Sequence, residues 1–309
     1  MAEYADTHTD TYLKTGSNEL KVLEYSCAGE KYGINILKVN HVLSEMRGFR
    51  TVPEVHPAIR GVFNDHEKVV PVLDLGYFLR KTPISIDGRH RVIVTEFFGM
   101  LNAFLVDNVE TVHTFGWDQV INAQSVLEKL ENPYVISIVQ PNEDQMILLL
   151  DYETIILELT PERVAAETKS KDIVHLNGDS RKVLVAEDSS SVRDMLALEL
   201  EERGFEPILA RDGREALELI EQNRDVSVII SDVEMPHTDG LALTKKVKEN
   251  PETAHVPVIV YSSIGDIGMK ERAKFLQAEE HITKLNLSEL FSRIGKLIGE
   301  SEIKEDASG

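Results

Sequence analysis

The sequence predicts two domains of different class, a mostly-β module over residues 18–158 and an α/β domain with a parallel sheet over residues 182–299. Three observations predict it. In the second region, short β-branched apolar runs alternate with amphipathic helical patterns, the signature of buried parallel strands and their crossover helices. In the first, short alternating segments follow one another with turn residues between them, which suggests small barrels rather than a βαβ sheet. Between the two, residues 159–181 are charged and polar, with Pro161 and Asn177-Gly178, and read as a tether that is partly helical from Pro161.

In the first region, Leu23, Tyr25 and Cys27 alternate with Glu24 and Ser26, and a turn at Ala28-Gly29 leads into Tyr32, Ile34 and Ile36. Further strands are expected at 69–73, 91–97, 103–106, 135–139 and 146–150, the last two joined through Pro141-Asn142-Glu143-Asp144. Asp74, Asp107 and Asp151 follow apolar runs, but no nucleophile, base and orienting partner can be assembled around them, so they read as turn residues. A core without chemistry is most simply a binding module.

In the second region, Val192, Met195, Leu196 and Leu200 mark one helix with Gly204 past its end, and Ala216, Leu217 and Ile220 mark the next. Ser288 is placed to cap a last helix carrying Leu290, Ile294, Leu297 and Ile298. Polar residues stand at the carboxyl ends of the apolar runs: Glu187-Asp188 after Val183-Leu184-Val185-Ala186, Asp232 after Val228-Ile229-Ile230-Ser231, Ser262 after Val258-Ile259-Val260-Tyr261, and Lys284 after His281-Ile282-Thr283. In open α/β sheets that edge is where ligands bind. One acidic residue at a strand end is commonly a cap; five polar residues in register are a site.

Two carboxylates ~4 Å apart repel by about 4 kcal/mol at an effective dielectric of ~20, so three together call for a cation. Oxygen-only ligands point to Mg²⁺. A carboxylate is also a nucleophile toward phosphorus, and the incoming charge then needs an ammonium and a hydroxyl at hand. Asp232 is the expected phosphoacceptor, with Asp188 a direct metal ligand, Glu187 a ligand through water, and the Glu234 backbone carbonyl completing the set. Ser262 and Lys284 are expected to contact the phosphoryl group.

These residues, with Met235-Pro236, Asp239-Gly240 and the run from Pro257 to Ser263, resemble the response-regulator receiver family. The resemblance implies a flavodoxin-like (βα)5 fold, Mg²⁺-dependent phosphorylation of Asp232 by a histidine kinase, and a switch relayed from Ser262 to the fifth strand. His281 stands at the switch position in place of the usual Tyr or Phe, and Leu285 replaces the usual Pro after the lysine. Glu234 adds a further carboxylate two residues past the acceptor.

A second resemblance covers most of residues 18–158. Glu30 through Val39, Pro57 through Asn64, Val69 through Leu75 and Val106-Asp107-Asn108-Val109 are similar, in order and spacing, to the CheW family of chemotaxis coupling proteins. That implies binding to chemoreceptors and to the histidine kinase CheA, with Val39 and His66 at partner-contacting positions. Where the family commonly has Asn-Leu-Arg-Gly, this chain has Asn64-Asp65-His66-Glu67. A coupling domain followed by a receiver is the layout of the CheV family.

Composition bounds the rest. A net charge of −20 argues against nucleic acid, which needs a basic surface. No apolar run approaches the ~18 residues of a membrane span. Residues 1–17 read as a flexible tail too acidic and polar for a signal peptide, and residues 300–309 as an acidic tail. The single cysteine, Cys27, fits a reducing cytoplasm. The expectation is a cytoplasmic adaptor, recruited to receptor arrays at the inner membrane without inserting into it. It is not an enzyme beyond self-phosphorylation and self-dephosphorylation. Two alternatives remain at this point: a receiver-regulated module for a non-chemotaxis partner, and an aspartate-nucleophile phosphatase of the haloacid-dehalogenase type. The latter requires Asp-x-Asp where this chain has Asp232-x-Glu234.

Overall fold

The computed structural model describes residues 19–44, 48–86, 88, 90–123, 134–161, 179–235, 237–263, 273–274 and 276–299. The expected tails, most of the tether and Pro236 lie outside them. Two compact units divide the chain. Described residues within Met1–Thr95, Leu101–Leu130 and Ser137–Leu150 form the first, and those within Glu96–Met100, Glu131–Ile136 and Asp151–Gly309 the second.

The first unit is mostly β. Its elements are β1 (Glu19–Cys27), β2 (Glu30–Asn35), β3 (Val39–Leu43), β4 (Ile59–Asp65), β5 (Lys68–Asp74) and α1 (Leu75–Arg80). There follow β6 (Arg91–Phe97), β7 (Met100–Val106), β8 (Asn108–Gly116), β9 (Ile121–Asn122), β10 (Val135–Asn142) and β11 (Gln145–Leu150). They make two sheets, ordered β8-β1-β2-β11-β10-β9 and β3-β6-β7-β5-β4. The β1–β2 turn works because Ala28 and Gly29 both take positive φ, 50° and 84°, the backbone that a two-residue hairpin needs. Inward residues such as Val22, Tyr25, Val72, Leu73 and Phe104 are fully buried, each worth roughly 1.5–3 kcal/mol of transfer free energy.

The expected turn aspartates tie down backbone N–H groups. Asp74 accepts the Tyr77 N–H at the head of α1 and pairs with Arg60 at 2.7 Å, while Asp107 accepts the Ala28 N–H at 2.7 Å. β8 had no place in the sequence reading. Its face is largely solvent-exposed and polar, so it lacks the apolar alternation, and its pairing with β1 defines it.

The second unit holds α2 (Tyr152–Leu159), β12 (Lys182–Ala186), α3 (Ser190–Glu202), β13 (Glu206–Ala210), α4 (Gly213–Gln222) and β14 (Val226–Ser231). It continues through α5 (Gly240–Glu249), β15 (Val258–Ser262), β16 (Glu280–Thr283) and α6 (Leu287–Leu297). The strands form one all-parallel sheet in the order β13-β12-β14-β15-β16, as the alternating pattern predicts. Leu184, Ala186, Ile229, Leu243, Val247 and Val258 share one buried core. Pro207, which lacks an N–H, sits on the edge strand β13.

Capping residues fix where the helices start: Asp151 for α2, Ser189 for α3, Asp212 for α4 and Asp239 for α5. For α6 the cap is Asn286, whose side chain accepts the Glu289 N–H, and not Ser288, which lies inside the helix. No peptide bond is cis among the described residues, and Leu285 follows the lysine with φ 66°.

Candidate phosphoacceptor site

The site is built at the carboxyl edge of the parallel sheet, within the second unit. Glu187 leaves β12 with its N–H donated to the Ala210 carbonyl at 3.0 Å, and Asp232 leaves β14 with its N–H donated to the Ala186 carbonyl at 2.8 Å. These two backbone bonds bring both carboxylates over the same strand ends. Oxygen atoms of Glu187, Asp188 and Asp232 lie within 4.8 Å of one another. Glu187 and Asp232 are buried and Asp188 is half-buried. The Arg193 guanidinium donates to the Glu187 and Asp188 carbonyls at 2.7 and 3.4 Å and pins that loop.

Asp232 Oδ1 accepts the Val233 N–H at 2.7 Å, and Oδ2 accepts from Lys284 Nζ at 3.0 Å. The loop beyond it closes when Gly240 N–H donates to the Val233 carbonyl. Gly240 is required there, because a Cβ would stand 1.9 Å from the Asp232 carbonyl oxygen. Glu234 is half-buried in this loop. Asp239, which caps α5, has its carboxyl pushed up by burial.

Lys284 is the charge centre. It is 2 % exposed, and its Nζ donates to Glu153 at 2.8 Å, Glu187 at 2.9 Å and Asp232 at 3.0 Å. Burial alone would lower its pKa. The carboxylates of Asp232, Glu153 and Glu187 outweigh that and hold it well above the ordinary lysine value. Burial pushes the Glu187 carboxyl well up, Lys284 opposing and the neighbouring carboxylates adding. Glu187 Oε1 accepts from Ser189 N–H as well as Lys284, while Oε2 is buried without a hydrogen-bond partner among the described residues. A buried lone oxygen beside two further carboxylates suits a hard divalent cation with oxygen ligands.

Ser262 ends β15, fully buried, and its carbonyl accepts the Lys284 N–H at 2.9 Å. His281 lies half-buried on β16, opposite Val260. The neighbouring aromatic is Tyr261, fully buried, whose hydroxyl oxygen accepts the Leu285 N–H at 2.7 Å and whose phenol is pushed up by burial. Glu187, Asp188, Asp232 and Lys284 thus come together as expected from their places in the sequence.

Two participants escaped the sequence reading. Glu153, on α2, puts one carboxylate oxygen on Lys284 and the other on Ser263 Oγ at 2.5 Å. No local pattern marks it, because 131 residues separate it from Lys284. Ser263 stood in the sequence as the end of the run from Pro257 that resembles a receiver, with no role given to it.

In the first unit, Val39 is buried at the head of β3, paired with Thr95. His66 is exposed at the β4–β5 hairpin tip, where His66 and Glu67 take φ of 47° and 87° between the paired residues Asp65 and Lys68.

Two family models match the chain. The family model of the CheW-like domain matches residues 21–159, and that of the response regulator receiver domain matches residues 183–295. Three chemotaxis proteins of Helicobacter pylori carry resemblance along most of the chain. CheV3 is 29 % identical, over 86 % of this chain and 88 % of its own length. CheV2 is 23 % identical over 96 % and 100 %, and CheV1 24 % identical over 87 % and 90 %. The chain carries a CheW-like domain and a response regulator receiver domain, and is similar along most of its length to the CheV proteins. The receiver match over residues 183–295 takes in Asp232 and Lys284, and Asp232-x-Glu234 lacks the second aspartate that the haloacid-dehalogenase alternative requires.

Proposed function

We propose that this CheV-like protein couples chemoreceptors to the histidine kinase CheA through its CheW-like domain, and that phosphorylation of Asp232 adjusts that coupling. The observation that carries the receiver half is the buried Lys284 ammonium 3.0 Å from Asp232 Oδ2, beside a trio of carboxylates. An Asp232 oxygen attacks the phosphorus of a phosphohistidine, the phosphorus–nitrogen bond breaks, and the imidazole leaves with the electron pair. Lys284, 3.0 Å from Asp232 Oδ2, would meet the new charge, with Ser262 at the end of β15 offering a hydroxyl. Glu187, Asp188 and Asp232, with the Glu234 carbonyl, would hold Mg²⁺, which when bound neutralises phosphoryl oxygens. The phosphoryl group adds roughly −1.5 to −2 charges at this edge. The result is adaptation or a phosphate sink, with no turnover beyond self-phosphorylation and self-dephosphorylation.

The protein acts in the cytoplasm at receptor arrays. No described helix is long and apolar enough to cross a membrane. The net charge of −20 speaks against nucleic acid as a partner. Incubating wild type and Asp232→Asn with phosphorylated CheA and Mg²⁺ tests the acceptor. Label is expected on wild type only; equal labelling of the variant would overturn the assignment.

A further inference from the structure

A lysine ammonium has three N–H donors. In Lys284 all three have carboxylate acceptors, at 2.8, 2.9 and 3.0 Å. A phosphoryl group on Asp232 brings further anionic oxygens to the same ammonium and competes with the carboxylates already on it. Glu187 and Asp232 are tied in by their own backbone bonds to Ala210 and Ala186. Glu153 comes from a separate segment, the eight-residue helix α2, which follows β11 directly in the chain. Its carboxylate spans Lys284 Nζ and Ser263 Oγ, the cationic and hydroxyl contacts of the kind that serve a phosphoryl group. It is 3 % exposed.

We infer that Glu153 is a displaceable internal ligand of the acceptor site: its carboxylate occupies Lys284 and Ser263 while Asp232 is unmodified, and is displaced from them when Asp232 carries a phosphoryl group. The inference rests on Asp232 being the acceptor. Like charges drive the displacement, since the dianionic phosphoryl group and the Glu153 carboxylate compete for one ammonium in a buried setting. The helix then loses its polar anchor. Its apolar packing stays, so the expected change is a loosening of this short helix, read as faster amide exchange. Apolar packing also holds α2: Tyr152, Ile155, Ile156 and Leu159 are buried, Tyr152 stacks on Phe97 at 5.8 Å, and Asp151 caps the helix through the Thr154 N–H. Exposed Glu158 accepts from the Tyr134 hydroxyl. Glu153 therefore links the state of the receiver to the end of the CheW-like sequence, whose family match runs to residue 159.

The test uses the full chain with Mg²⁺ and phosphoramidate, in which the phosphorus–nitrogen bond breaks, ammonia leaves with a solvent proton, and a phosphorus–oxygen bond to Asp232 forms. Glu153→Ala and Glu153→Gln are expected to take up phosphate at least about tenfold faster than wild type, the worth of one charge-assisted hydrogen bond. Glu158→Gln, which loosens the same helix without touching the site, is expected to match wild type. In wild type, beryllofluoride with Mg²⁺ is expected to speed amide hydrogen exchange across Tyr152–Leu159. Equal uptake rates in wild type and both Glu153 variants, with exchange in α2 unchanged, would overturn the inference and leave the acceptor assignment standing. No uptake in any of them would overturn both.

Discussion

Lys284 and Glu153 form an ion pair 2.8 Å long with both side chains almost wholly withdrawn from solvent. With Glu187 and Asp232 on the same ammonium, one positive charge serves three buried carboxylates. Removing one partner of a buried ionic set costs about 3–5 kcal/mol, because the remainder is left uncompensated. Lys284→Met should therefore destabilise the protein by at least about 3 kcal/mol in urea unfolding. Adding Glu153→Ala to it should recover part of that loss.

The Glu187 carboxyl sets a pH dependence. Its pKa is raised in the folded protein, chiefly by burial, above the ordinary 4.5. A raised acid pKa means that the folded state prefers the proton. Its contribution to stability is full below the unfolded value and is lost as pH rises through the folded one. A divalent cation favours the carboxylate and offsets that loss. Mg²⁺ at about 10–100 times its dissociation constant should add roughly 1.4–2.7 kcal/mol at pH 7.5. The gain in melting temperature should shrink as pH falls toward 5, in a scan with and without Mg²⁺.

Gly240 gives a steric test. An added Cβ would stand 1.9 Å from the Asp232 carbonyl oxygen and 2.7 Å from Ser231 Oγ, so backbone has to move. Gly240→Ala should cost about 1–3 kcal/mol, as overpacking does, and also slow phosphate uptake on Asp232. Thermal melts and the uptake rate read the two effects separately.

The β4–β5 hairpin tip carries strain that can be removed. His66 and Glu67 hold left-handed backbone, where Asn and Gly are favoured. Replacing them together, His66→Asn with Glu67→Gly, should stabilise the protein by about 1–2 kcal/mol in denaturant unfolding. If His66 contacts a partner, the same pair should weaken binding to CheA while raising stability. A binding isotherm beside the unfolding curve separates these outcomes.

How much of this was legible in the sequence follows from what period and position can encode. Parallel strands buried on both faces are continuous apolar runs, so the residues just past them, Glu187, Asp232, Ser262 and Lys284, were visible as one edge. β8 was not, because its exposed face is polar and only pairing with β1 defines it. The α6 cap was misplaced by two residues, since Asn286 and Ser288 are equally good cap types and geometry chose between them. Glu153 was invisible for a deeper reason. Its role lies in a tertiary contact across 131 residues, and on its own helix it looks like any other glutamate.

The most direct test of a phosphorylation-tuned coupler is co-sedimentation of the full chain with receptor-bearing membranes and CheA, with and without beryllofluoride and Mg²⁺, for wild type and Asp232→Asn. The prediction is that both proteins enter the pellet and that beryllofluoride changes the bound fraction of wild type alone. Folded protein left in the supernatant, or an equal response from Asp232→Asn, would contradict it.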